Sequence, residues 1–119
     1  MTWELDKNKP ICPQICEHLC VMIASGEIKP KEKIVSVREI ALSAGVNPNT
    51  VQKSLEELER KGLINSVRSV GWFVGEDIDA AKETVEKLKK EKTEAFFKSM
   101  EALGVSKSET LDYIGRWSQ

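Results

Sequence analysis

Apolar positions recur at helical spacing along most of the chain and crowd into two short runs after residue 62. In the stretch 11–25, Ile15, Cys16, Leu19, Met22 and Ile23 fall on one helical stripe. Gly26 and Pro30 close it, which predicts a first helix over 11–25 and a connector over 27–34. Ser36 and Glu39 have capping-box spacing, with the hydroxyl on the Glu39 amide and the carboxylate reaching back to the Ser36 amide. A second helix is therefore expected from Ser36 to about Ala44, with Val37, Ile40 and Ala41 turned inward. Asn47 and Pro48 predict the start of a third. Asn is a strong N-cap, and proline at the first helical position gives up an amide that would have no partner anyway. Val51, Leu55 and Leu58 make its apolar face, and Gly62 ends it. Two short helices joined by Gly45, Val46 and Asn47 have the form of a helix-turn-helix.

The runs 63–67 and 72–74 flank Arg68, Ser69, Val70 and Gly71, a pattern that predicts a hairpin with a flexible tip. Three helices followed by a hairpin is the winged-helix order. Residues 78–103 contain no glycine or proline and are rich in Glu, Lys and Ala, so they read as one long helix. Gly104 stops it. Ser106 and Glu109 form a second capping box, which opens a last helix to about Trp117. The expected fold is mainly α with a small β-hairpin: a winged helix-turn-helix over 1–75 and two C-terminal dimerisation helices over 76–119.

Those two helices are too few to enclose a core of their own. Their apolar positions are Ile78, Ala81, Val85, Leu88, Phe96, Met100 and Leu103 on the first, and Leu111 and Ile114 on the second. They are expected to form a seam with a second copy of the chain, because a long helix with a coiled-coil-like stripe suits a two-fold interface. Packing onto the first domain is the competing arrangement.

Composition narrows the function less than pattern does. Of 119 residues, 40% are apolar and 31% charged, an ordinary globular balance. No apolar run approaches the roughly 20 residues that span a bilayer. The first residues lack the apolar stretch of a secretion signal, so a cytoplasmic protein with no membrane partner is expected. The net charge is −1. Residues 1–75 carry ten Lys and Arg against nine Asp and Glu, and 76–119 carry eight against ten. No global field favours nucleic acid, so any DNA binding must come from a local surface.

The segment 33–74 resembles the DNA-binding domain of the GntR family of bacterial regulators. The likeness rests first on Ile34, Val35, Ser36, Val37, Arg38, Glu39, Ile40 and Ala41. It continues through the Gly-Val-Asn-Pro-Asn-Thr-Val stretch at 45–51, the Glu-Leu-Glu-x-x-Gly-Leu-Ile stretch at 57–64, and Gly71, Trp72, Phe73 and Val74. Upstream, Pro10, Ile11, Cys12, Pro13, Gln14 and Ile15 are similar to the family's opening of the first helix. Trp3, Glu4, Leu5 and Asp6, together with Leu103, Gly104, Val105 and Ser106, resemble the YtrA subfamily. That likeness implies two C-terminal helices used for dimerisation, and no large effector domain fits in residues 76–119. Four positions depart from the family pattern: Lys31 and Ser69 stand where glycine is common, Val35 where proline is usual, and Trp72 where threonine is usual.

A recognition helix lies in the major groove with its N-terminal residues nearest the bases. That places Asn47, Pro48, Asn49, Thr50, Gln52 and Lys53 on or near double-stranded DNA. Asn49 and Gln52 can each make a bidentate pair with adenine, Thr50 can bond a phosphate or a base, and Lys53 can neutralise a phosphate. Arg38, which the resemblance implies contacts DNA, can pair with guanine or clamp a phosphate; the plainer reading is a surface charge balanced by Glu39. Ser36 can cap its helix and touch phosphate. Arg68 at the hairpin tip can enter the minor groove, with Gly71 allowing close backbone approach.

Cys12, Cys16 and Cys20 repeat every fourth residue of the first helix. They read either as a thiol or metal sensor or as small buried hydrophobes. The second reading is favoured, because a disulfide at that helical spacing is strained and the spacing is not a common zinc pattern. His18 lies off the apolar stripe and is expected at the surface, and Cys20 is expected at the stripe's edge. Trp3, Trp72 and Trp117 are expected to serve in packing. There is no nucleotide-binding loop, no paired nucleophile and base, and no zincin-type helix, so neither an enzyme nor a cofactor or metal is expected. The expected function is a sequence-specific regulator, a repressor, binding a palindromic operator as a homodimer. Its remaining partner would be a small-molecule effector of unspecified class. The alternatives are a thiol- or metal-responsive regulator of the same fold and a winged-helix protein-interaction module that does not bind DNA.

Overall fold

Pro10 stands at the N-cap of the first helix, α1 (Ile11–Ser25), in a computed structural model that describes residues 2–119. Gly26 ends α1 in the left-handed region, φ 83°, with its amide on Ile23 O. The Ser36 hydroxyl caps α2 (Val37–Ala44) by accepting the Glu39 amide. Gly45, at φ 69°, turns the chain toward α3 (Pro48–Arg60), where Asn47 Oδ1 accepts the Asn49 amide at 2.7 Å. β1 (Ile64–Val67) and β2 (Gly71–Val74) pair antiparallel, with Ile64 opposite Val74 and Val67 opposite Gly71. α4 (Asp79–Glu101) and α5 (Lys107–Trp117) follow, and α5 opens on a complete capping box between Ser106 and Glu109.

The connector before α2 is more than a link. Ile34 N–H donates to Trp72 O at 2.8 Å, Val74 N–H donates to Glu32 O at 2.9 Å, and Lys33 bridges Phe73. β2 is therefore bonded on both edges, and the wing is anchored to the chain that leads into α2. The tip turns through Ser69 at φ 65°, and Lys31 adopts φ 67°. Both residues occupy the left-handed conformation that glycine adopts without strain.

The chain divides into two compact units, one ending at Val85 and one spanning Glu86–Gln119. The division falls within α4. In the first unit, Ile15, Leu19, Ile23, Ile40, Val51, Leu55, Leu58 and Ile64 form a core that excludes solvent. A fully buried side chain of this size contributes about 1.5–3 kcal/mol by leaving water. Ala81, at the start of α4, is part of that core, and Ala80 and Val85 pack against it. Ala81 is thus core of the first unit and is not available to the seam in which it was expected. Val85 is drawn partly into the same core. Cys20 meets this helix: its thiol donates to Ala81 O at 3.6 Å, and its side chain is buried, not at the edge of the α1 stripe.

The second unit has a different character. Thr110 is its buried side chain, with the hydroxyl donating to Ser106 O at 2.9 Å. Phe97, Met100, Val105 and Ile114 are half-buried, whereas Phe96, Leu103, Leu111, Tyr113 and Trp117 are exposed. Trp117 does not act as a packing anchor within this unit, since three quarters of it is open to solvent (75%). No helix among the described residues is long and apolar enough to cross a membrane.

Candidate nucleic-acid interface

α3 places its apolar and polar residues on opposite faces. Val51, Leu55 and Leu58 are sealed in the core, while Asn47, Pro48, Asn49, Gln52 and Lys53 are exposed and Thr50 is half-buried. The helix is fixed from behind by its packing on α1. Ser54, fully buried, lies within hydrogen-bonding distance of Thr50 O (2.8 Å), Cys12 Sγ (3.3 Å) and Cys12 O (3.4 Å). The Cys16 thiol donates to Ser54 O at 3.3 Å. The outward residues therefore stand on a backbone held by interior contacts, the arrangement needed to present side chains to a groove.

The Gln52 amide has a defined orientation. Its Nε2 donates to Glu56 Oε1 at 3.2 Å, one turn further along α3. A carboxylate only accepts, so the amide nitrogen faces Glu56 and the carbonyl oxygen faces away. One acceptor and one remaining N–H are left outward, which matches the donor and acceptor pattern of adenine in the major groove.

Glu59 ties α3 to the wing. Its carboxylate accepts from the Ser66 amide at 2.7 Å and from the Ser66 hydroxyl at 2.8 Å. Sequence reading passed over Glu59, because its partner lies in another element. Ser36 and Gly71, two of the expected contacts, line one surface groove between the wing and the start of α2, along with Lys33, Glu39, Val70 and Trp72. The Lys33 stem covers Gly71, so that a Cβ added there would meet Lys33 Cε at 3.1 Å. Lys33 is a further cation beside the expected contacts, and a lysine in a connector gave no local signal of that place.

Arg38, Lys53 and Arg68 are exposed and take part in no ion pair among the described residues. Arg38 and Glu39 form no direct ion pair among the described residues. Arg60, by contrast, is paired with Glu57 on α3.

The thiols point inward. Burial, with Cys12 adjacent, pushes the Cys16 thiol up to about 12, and burial also raises Cys20. Both stay protonated near neutral pH and are poor nucleophiles in that form. His18 is half-buried under Trp3, with ring centroids 4.3 Å apart, and is not a free surface residue. Trp72 is half-buried against the core, beside the wing groove.

Residues 13–74 match the family described as bacterial regulatory proteins, gntR family. The chain is 35% identical to the uncharacterized HTH-type transcriptional regulator YhcF of Bacillus subtilis, over 98% of this chain and 96% of that protein. It is 40% identical to the HTH-type transcriptional repressor YtrA of the same organism, over 59% of this chain and 54% of that one. A solved structure of a GntR family transcriptional regulator from Listeria monocytogenes superposes with a TM-score of 0.80 at 32% identity, covering 94% of this chain and 98% of that one. A family match over more than half of the chain, on a winged helix-turn-helix with a two-helix tail, shows that this chain belongs to the GntR family of DNA-binding transcription regulators.

Proposed function

We propose that this regulator is a repressor that binds a palindromic operator as a homodimer, paired through the helices of residues 86–119. The observation that carries the reading is the set of exposed, unpaired cations on three separately anchored elements: Arg38 on α2, Lys53 on α3 and Arg68 in the wing turn. A protein-interaction module would have no use for such charges beside an outward-facing Asn49 and Gln52. In this reading Asn49, Thr50 and Gln52 contact bases, Ser36 and Lys53 contact phosphates, and Arg68 follows the minor groove with Gly71 close behind. The YtrA relative is a transcriptional repressor.

The dimer surface consists of Phe96, Leu103, Leu111 and Trp117, with Leu88, Met100 and Ile114 half-buried beside them. Ile78, expected in the same seam, is half-buried just before α4, in the first unit. A small-molecule effector would act at the dimer interface or at α1.

Arg38→Ala tests the site. On a duplex selected from a randomised library, affinity should fall about tenfold or more, with the thermal midpoint unchanged because the side chain is exposed. Unchanged affinity would remove Arg38 from the interface.

A further inference from the structure

The family match begins at residue 13, yet the segment before it makes contacts at the helix-turn-helix itself. Trp3 Nε1 donates to Ser43 Oγ at 3.0 Å, and the indole lies on His18. Gln14 holds the same segment from α1: its Oε1 accepts the Asp6 amide at 2.7 Å and its Nε2 donates to Asp6 O at 2.9 Å. The Lys7 ammonium then reaches the end of α2, 3.0 Å from Gly45 O and 3.5 Å from Ala44 O.

The charge at that point has a physical use. The last carbonyls of a helix carry partial negative charge, and a cation in the last turn stabilises them. α2 has no basic residue in its last turn. Lys7 supplies that cation from a distant part of the chain, at the turn that sets the direction of α3. Its Nζ would lie 3.9 Å from a Cβ built on Gly45, so it covers the turn as well as bonding to it.

We infer that the N-terminal segment is a strap that sets the position of the reading head, with Lys7 as its positioning residue. Trp3 and Gln14 hold the strap at its two ends, and Lys7 fixes Gly45 and, through Val46, the Asn47 cap from which α3 starts. The inference rests on α3 being the helix that reads DNA.

The test compares the full-length protein with Lys7→Met and Lys7→Arg. Three quantities are read: amide exchange at Gly45, Val46 and Asn49, affinity for the selected duplex, and the salt dependence of that affinity. Lys7→Met should exchange faster at the turn and bind about fivefold more weakly, with the salt slope unchanged. Lys7→Arg should restore both, since a guanidinium also donates to two carbonyls. Wild-type exchange and affinity in Lys7→Met would overturn the inference. So would a salt slope smaller by about one, which would make Lys7 a phosphate contact instead. Faster exchange in Lys7→Met, in a protein whose wild type selects no sequence, would leave the strap in place and defeat the DNA-reading assignment.

Discussion

In the unit ending at Val85, the largest apolar side chains of α1, α3 and β1 are hidden from solvent. From Glu86 onward, Leu103, Leu111, Tyr113 and Trp117 are more than half exposed, and the buried side chain is a threonine. One helix, α4, passes from one condition to the other: Ala81 is inside a core, and Phe96 is 43% exposed. The first unit buries most of its large apolar side chains internally, although Leu42 on α2 stays 77% exposed, so its fold depends mainly on its own sequence. The second leaves several large apolar side chains exposed, a surface that fits contact with something else.

The largest effect should come from the hidden side. Leu55→Ala removes a fully buried side chain beneath the recognition helix and should lower the unfolding free energy by about 2–5 kcal/mol, read by urea titration. A loss under about 1 kcal/mol would mean that α3 is not held as described.

On the exposed side, Leu103→Ser with Leu111→Ser should leave that unfolding transition in place. It should weaken self-association about tenfold or more, read by sedimentation across a concentration series. Unaltered association would assign the patch to some contact other than a second copy.

A smaller effect concerns the thiols. The folded chain holds Cys16 protonated up to about 12, whereas an unfolded thiol ionises near 9. The stabilisation is complete below about pH 9 and is lost as pH rises toward 12, because only the unfolded chain releases the proton in that window. Cys16→Ala should therefore lose stability less steeply over this range than the wild type, with Cys20 still contributing a slope of the same sign. Parallel pH curves would show that Cys16 is not buried in this way.

The smallest effect is at the wing. Ser69→Gly should add about 0.5–1 kcal/mol, since serine holds a left-handed conformation there that glycine takes freely. A loss would mean that the serine side chain supports the turn.

Much of this was legible because it is local. Ser36, Asn47 and Ser106 each cap a helix within three residues of themselves, and the stripe through Ile15, Leu19 and Ile23 is written in consecutive turns. What sequence missed is non-local. Residues 32–34 bond to β2 across the fold, Glu59 reaches Ser66, and Lys7 reaches Gly45. Nothing near those residues announces a partner. Cys20 and Ala81 were misplaced for the same reason: each looks marginal on its own helix and is buried only where the two meet. In the tail, Phe97 is half-buried, edge-on to the exposed Phe96 at 5.9 Å with the Lys107 ammonium over its ring. An even apolar spacing in a long helix does not say which side will be covered.

The most direct test is selection of bound duplexes from a randomised library by the full-length protein, followed by sequencing. An operator read by two copies of α3, paired through their tails, should emerge as an inverted repeat, with adenine preferred at the position lost in Gln52→Ala. A single unrepeated site would contradict the pairing, and a library left unenriched would contradict the reading head itself.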